Sequence, residues 1–505
     1  MEILLTLTYL FLFIFLIFRI PFFKTEGLNP TGISIILCLK VFFGLILWAI
    51  YSFYYKDRST ADIFKYFDDS KIMFDAIHTQ PSDYFRMLFG IGNNTPHFDP
   101  YYLKMNNWAR QYESNLYNDS HTIIRFNALA RLISLGYYQV HAVILSFLSL
   151  TGLVALYKCF APMLPGRKKW VIGCVFLFPS VLFWGSGVLK EGILFLGLGM
   201  LVYYWFKLWK GENPALSLFW IVISVILLLV TKFYILVSIA PGLLFIAWIV
   251  RGGNKHLLIK FGAVMVCYAG LGLGVRYFAP NYDPIEVLSI KQRDFSCLAR
   301  GGALLRCDTA MVYLTLDQRK VDLDQIGASK TYHIKQGTSL VYWHDYSSDE
   351  DTLFGKQGPA QAVFTIDKDM ERSGSLITMK PLEPTVSSVL SHTPMALVNT
   401  LFRPLPTEAR SPLLLMPALE IIAYSVFILF CLLFHRKKGA GMEYLLFCLS
   451  FVFILYLITG LTTPVLGAIV RYKVPGIPFL LLGFLFLLDE EKLMKRFRVL
   501  KRMKE

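Results

Sequence analysis

Long apolar stretches almost free of charge recur along this chain, and they limit what it can fold into more than any other feature. A helix needs about 20 apolar residues to cross a hydrocarbon core of about 30 Å, and a backbone in lipid must satisfy its own hydrogen bonds. Stretches of that kind lie near 3–18, 31–54, 138–158, 170–187, 191–208, 215–231, 233–250, 257–277, 412–434, 443–461 and 472–488. The chain is 55% hydrophobic and only 17% charged, which excludes one water-soluble globule of 505 residues. The expected fold is an all-α polytopic membrane protein with about eleven transmembrane helices. The first stretch opens MEILL, with no basic segment before it and no small-residue cleavage site after it, and is read as a retained helix.

A formal charge of +15 would suit nucleic acid, but the positions of the basic residues point to a membrane instead. Arg167-Lys168-Lys169, Lys207 with Lys210, Arg251 with Lys255, Arg436-Lys437-Lys438 and the tail from Lys492 to Lys504 occupy alternate loops. The positive-inside rule makes these loops cytoplasmic, with the N-terminus outside and the C-terminus inside. Two long loops, about 55–137 and 279–411, then lie outside. Three units follow: an N-terminal bundle, 1–278, carrying the acidic loop; an inserted extracytoplasmic α+β domain, 279–411; and C-terminal helices with a basic tail, 412–505. Within the insert, Met311–Leu316, Ser339–Trp343, Ala362–Ile366 and Ser375–Met379 read as strands, and Thr385–Phe402 as an apolar helix lying on the membrane. Cys297 and Cys307 share the outer loop and would pair in an oxidising compartment.

The chemistry centres on Ser59–Asp75, STADIFKYFDDSKIMFD, just past a belt formed by Trp48, Tyr51, Tyr54 and Tyr55. Helical spacing sets Asp62, Tyr66 and Asp69 on one face and turns Asp68 about 100° from Asp69. Asp62, Asp68 and Asp69 are the candidate general bases, because a partly desolvated carboxylate within about 3 Å of a hydroxyl can take its proton. The other reading is a solvated amphipathic helix neutralised by Lys65 and Lys71. A helix over Asp119–Leu135 would turn Ile123, Ile124, Leu129, Leu132 and Ile133 to one apolar face. His97 and Asp99 read as turn residues, since two potential ligands lack a third.

Charged residues next to apolar runs supply the other candidates. Lys190 and Glu191, in PSVLFWGSGVLKEG, sit at an outer boundary, where they either lock a turn as a pair or serve a ligand. Lys232 breaks the apolar span 215–250, Arg403 lies in LFRPLP, and Arg471 and Lys473 open the last helix. Several basic residues beside outer helix ends suit an anion such as a phosphate, or else lipid headgroups. Glu420 is an intramembrane carboxylate that requires a partner. The sequence shows no Walker loop, dinucleotide fingerprint, repeat or metal spacing, and no cofactor is expected.

The acidic DIFKYFDD helix, PSVLFWGSGVLKEG, LFRPLP and RYKVPGIPFLLL occur in an order that resembles the bacterial GT-C-type integral-membrane glycosyltransferases and the related O-antigen or exopolysaccharide polymerases. The chain departs from many such enzymes in carrying an extra helix before its acidic loop. The resemblance implies a bacterial inner-membrane transferase. Its donor would be a polyprenyl-phosphate-linked sugar and its acceptor a glycan, lipid or protein on the outer face. Asp62 would be the base, with Asp68 and Asp69 as rivals, and Lys190, Arg403 and Arg471 would form the phosphate side. Tyr66, Glu191, Lys232, Glu420 and Lys473 complete the substrate-binding set. The competing readings are a polymerase of polyprenyl-pyrophosphate-linked repeat units and a transporter or flippase for a lipid-linked glycan. The large outer loops and short cytoplasmic ones favour chemistry over transport.

Overall fold

A computed structural model of the chain describes residues 1–55, 58, 61–108, 117–300, 372–409, 411–435, 441–490 and 492–493, together with seven strand segments between 303 and 369. Eighteen α-helices are found among these residues. In the N-terminal part they are α1 (Glu2–Arg19), α2 (Pro30–Ala49), α3 (Asp62–Thr79), α4 (Pro81–Phe89), α5 (Asp99–Tyr102), α6 (Ser120–Ser134) and α7 (Tyr138–Phe160). The middle contributes α8 (Lys168–Phe176), α9 (Pro179–Trp184), α10 (Lys190–Trp209), α11 (Pro214–Gly252), α12 (Leu257–Phe278) and α13 (Pro284–Ala299). The remainder are α14 (Val386–Phe402), α15 (Pro412–Leu433), α16 (Met442–Thr462), α17 (Leu466–Tyr472) and α18 (Ile477–Leu487). Among the described residues nine helical segments are long and apolar enough to cross a membrane. The chain is a polytopic, predominantly helical membrane protein.

Local sequence explains where these helices break. Asn29 caps α2 by accepting from Gly32 N at 2.8 Å, and Pro30 follows at the first helical position, where its missing N–H is no loss. The expected single run 170–187 is instead two short helices, α8 and α9. Pro179 disfavours helical backbone at Phe178, which is extended (φ −67°, ψ 130°). The last run starts earlier than expected, at Leu466, and is interrupted by a 3₁₀ turn at Val474–Gly476 around Pro475.

The 39-residue α11 departs from helical backbone at Lys232 (φ −152°, ψ 85°). Left straight, it would hold Trp220 and Leu243 about 34 Å apart. Both reach neighbouring residues of α10: Trp220 stacks on Tyr204 at 5.9 Å, and Trp205 Nε1 donates to Leu243 O at 2.9 Å. Hence the helix folds back at Lys232 into two arms that lie along α10. The bundle centre is packed through glycine. A Cβ on Gly152 of α7 would lie 1.9 Å from Phe195 O of α10, so only glycine permits this backbone approach.

Outside the bundle, α3 and α6 cross beside the start of α7. Arg131 clamps them by donating to Ser70 Oγ (2.9 Å) and Phe67 O (2.6 Å). The expected single apolar face of α6 is split. Ile123 and Ile124 are fully buried, whereas Leu129, Leu132 and Ile133 are exposed, because the helix is packed on one side only.

Between α13 and α14 run seven strands, β1 (Ala303–Cys307), β2 (Val312–Leu316), β3 (Leu323–Gln325), β4 (Thr331–Ile334), β5 (Val341–Asp345), β6 (Glu350–Phe354) and β7 (Val363–Asp369). They pair antiparallel in the orders β2-β1-β7-β4-β3 and β5-β6. Expected strand residues Met311, Ser339, Leu340 and Ala362 lie outside the described residues, as do the side chains of Cys297 and Cys307. Ser375–Met379 is no strand: Leu376 makes a lone bridge to Val465, and Ile377 N donates to Pro464 O at 2.8 Å, tying the segment to the start of α17.

Candidate functional site

Five elements bring charged side chains to one end of the bundle: the starts of α3, α6 and α10, the fold in α11, and α17. Arg471 is the hub. Its Nε and Nη2 donate to Glu191 Oε1 and Oε2 at 2.7 and 3.1 Å, and its Nη1 donates to Asp62 Oδ2 at 2.8 Å. A guanidinium held by a two-point pair on one edge presents its other edge in a fixed direction. Glu191 is 1% exposed, whereas the Asp62 side chain is 37% exposed, so the Asp62 edge is the one open to solvent.

Beside this pair lies a second group. Lys190 Nζ donates to Asp119 Oδ1 at 2.6 Å and to Ser120 Oγ at 3.2 Å, and sits 5.0 Å from the centre of the Tyr66 ring. Lys232 Nζ is 3.9 Å from Asp119 Oδ2 and 4.3 Å from the centre of the Tyr472 ring. Burial opposes ionisation of Asp119, but Lys190 and Lys232 outweigh it and hold the carboxyl below the usual carboxylate range. Both lysines are buried, at 5% and 8% exposure, and the fold at Lys232 is what brings its ammonium here. Charged groups of this kind inside a membrane bundle cluster and pair because each alone is costly.

The remaining sequence candidates divide cleanly. Asp69, expected to share the face of Asp62, is 2% exposed and accepts from Asn106 N and Asn107 N, both at 2.7 Å. Its two oxygens hold the loop ahead of Trp108, a positioning task. Asp68 is exposed and receives Arg58 Nε and Nη2 at 2.7 and 2.6 Å, and Asp75 pairs with Lys71 at 2.5 Å. Tyr66 is buried beside Lys190. Asp62 alone of the candidate bases faces the cluster.

Arg403 turns to Glu408 and to Asn399 Oδ1, and its hydrogen bond, together with that of Leu405 N, holds the Glu408 carboxyl down despite partial burial. Lys473, fully buried, donates to Thr400 O (3.0 Å) and Arg403 O (3.1 Å), pinning the end of α14 two residues from Arg471. Glu420 accepts from Ser180 N at 3.0 Å and from its hydroxyl. It lines a cavity of about 880 Å³ between α8–α9 and α15, walled by Trp170, Cys174, Phe178, Leu419 and Phe427. His97 Nε2 pairs with buried Asp83 at 2.8 Å. Among the described residues no three His, Cys, Asp or Glu side chains gather as a metal site.

Sequence reasoning missed one member of the cluster, Asp119, and passed over the buried Lys40. Asp119 was legible only as the first residue of an expected helix. Lys40 was a lone charge inside an apolar run. Its ammonium is completely buried in α2. Comparison of the chain with protein-family models, curated proteins and solved structures finds no match in any of the three.

At the opposite end of the bundle the described basic residues make a different pattern. Lys158 Nζ donates to Phe22 O at 2.8 Å, Lys168 pairs with Glu26, Arg167 donates to Leu485 O at 2.9 Å, and Arg251 lies 4.4 Å from the Trp209 ring centre. These residues lie at helix ends, where long basic side chains reach lipid headgroups.

Proposed function

We propose that the chain is a glycosyltransferase of the bacterial inner membrane. It would transfer a sugar from a polyprenyl-phosphate carrier to a glycan, lipid or protein acceptor on the extracytoplasmic face, in the manner of the GT-C-type enzymes it resembles. The observation that carries this reading is the Arg471 guanidinium, fixed by Glu191 on one edge and sharing its other edge with the half-exposed Asp62. A donor phosphate competing for the Nη1 edge would release Asp62 at the point where an acceptor hydroxyl must lose its proton. The hydroxyl oxygen then attacks the anomeric carbon, Asp62 takes the proton, and the bond from that carbon to the phosphate oxygen breaks with inversion. Arg471, Lys190 and Lys232 face the charge that develops on the leaving phosphate.

The orientation belongs to the same reading. The basic residues gathered at the other end make that end cytoplasmic by the positive-inside rule, so the ionic cluster faces outward. Counting both arms of α11 and treating α8–α9 as one broken crossing gives eleven passes, with an even placement of loops. The strands between α13 and α14 would form the inserted outer domain. The apolar cavity beside Glu420, walled by α8, α9 and α15, would accept a carrier's hydrocarbon.

The deciding experiment follows release of polyprenyl phosphate from a panel of polyprenyl-phosphate-linked hexoses, using purified protein in lipid nanodiscs. Release that is lost in Asp62→Asn, with donor still bound, supports the assignment. No release by the wild-type protein from any donor, together with no binding of polyprenyl phosphate, would remove it.

A further inference from the structure

Helix α6 is built inside out. Its polar residues are buried: His141 Nδ1 donates to Asn127 Oδ1 at 2.7 Å, the Ser134 hydroxyl pairs with His141 Nε2 at 2.6 Å, and Arg131 reaches across to α3. Its apolar residues Leu129, Leu132 and Ile133 share one face, at i, i+3 and i+4, and that face is exposed, as is Leu135 just beyond the helix. A helix bordered by water turns its apolar stripe to the core and its polar residues outward. Here the hydrogen-bonding side chains take the inner face and the outer face offers only hydrocarbon. That reversal withdraws polar groups from surroundings that could not satisfy them.

Both ends of α6 are tied to membrane-crossing helices. Near its start the Thr122 hydroxyl donates to Val230 O, two residues before the fold in α11. Near its end Ile133 O accepts from the Tyr9 hydroxyl of α1 at 2.8 Å. Phe13 of α1 stacks on Phe147 of α7 at 4.3 Å, and Lys158 Nζ of α7 donates to Phe22 O just past α1, so these two crossings run parallel. In that register Tyr9 is level with Val143, about 7.5 Å inside the start of α7 and about 10 Å from the start of α1. The hydrogen bond therefore holds the end of α6 against the flanks of the two crossings, not beyond their ends. Along this part of α1 Leu4, Leu7, Phe11 and Leu12 are exposed, so the exposed leucines of α6 continue a surface that already faces hydrocarbon.

We propose that the C-terminal half of α6, presenting Leu129, Leu132, Ile133 and Leu135, is sunk into the leaflet at the ionic-cluster end and docks on the acyl chains of membrane phospholipid. This lipid contact is independent of the glycan-transfer reading. The other end of the same helix begins at Ser120, which with Asp119 holds Lys190. One short helix thus runs from the acyl chains to the ionic cluster.

The test uses the full chain in vesicles of phosphatidylethanolamine and phosphatidylglycerol. The photoreactive residue p-benzoylphenylalanine, which bonds to nearby C–H groups and not to water, is placed singly at Leu129, Leu132, Phe11 or Lys71. Phe11, exposed on α1, reports hydrocarbon, and Lys71, exposed on α3 and paired with Asp75, reports water. After irradiation, mass spectrometry of the intact protein should show phospholipid adducts at Leu129 and Leu132 in the yield found at Phe11, and none at Lys71. Leu129 carries the test if the Leu132 variant does not fold. Absence of lipid adducts at the α6 positions, as at Lys71, would overturn the proposal. So would crosslinks from those positions to a second copy of the chain in place of lipid.

Discussion

Removing the Arg471 side chain separates a structural pair from a functional one within a single residue. Arg471→Ala takes both hydrogen bonds from Glu191, which is 1% exposed and is left as a buried carboxylate without its charge partner. Breaking such a pair from one side costs about 3–5 kcal/mol. The bond to Asp62 adds little, because that side chain is 37% exposed and an exposed ion pair contributes less than about 1 kcal/mol. Reversible unfolding in mixed micelles should therefore show Arg471→Ala and Glu191→Gln each strongly destabilised, and Asp62→Asn nearly unchanged. The double variant Arg471→Met with Glu191→Gln leaves no unpaired charge from the pair and should lose no more than about 2 kcal/mol, giving a large coupling energy in the cycle it closes with the Arg471→Met and Glu191→Gln single variants. If Arg471→Ala and Glu191→Gln each cost less than about 1 kcal/mol, or if their effects add without coupling, Glu191 does not hold the guanidinium. Arg471 would then not present its Asp62-facing edge to a phosphate in a fixed direction.

Asp62→Asn should lower glycan transfer by about a hundredfold or more while donor binding persists, and Asp68→Asn and Asp75→Asn should transfer normally; transfer rates with the same donor decide this. Asp69→Ala strands two buried amides, so it should destabilise the chain by about 2–5 kcal/mol and open the 105–108 loop to protease, without acting on chemistry in the fraction that remains folded. Burial pushes His121 down to about 4, so it stays neutral in the fold while the unfolded chain takes its proton near the ordinary value. Stability should therefore fall as pH drops from about 6.5 to 4, by about 2 kcal/mol, and His121→Gln should flatten that slope. Single-cysteine variants at Gly374 and Gly253 should label from outside intact cells and only after permeabilisation, respectively; the reverse pattern would invert the orientation.

What the sequence determined by itself is what depends on short stretches. Apolar length fixed that helices cross a membrane, because the hydrocarbon core demands a self-satisfied backbone wherever it is crossed. The fold-back at Lys232 was legible for the same reason, since a charge interrupting a 39-residue apolar span marks where a turn lies. The identity of the charged residues at helix ends, Lys190, Glu191, Lys232 and Arg471, was equally visible. Their partners were not. Arg471 and Asp62 are 409 positions apart, and nothing local in either segment encodes the meeting. Helical phase told that Asp68 and Asp69 face different ways, yet which of those directions is buried depends on where the 105–108 loop packs, and that loop claims Asp69 with two backbone amides. Asp119 joined the site only because Lys190 and Lys232 reach it from two other elements. Only the tertiary structure could say which carboxylate is left half exposed beside Arg471, because burial and ion pairing are properties of the packed bundle rather than of any one helix.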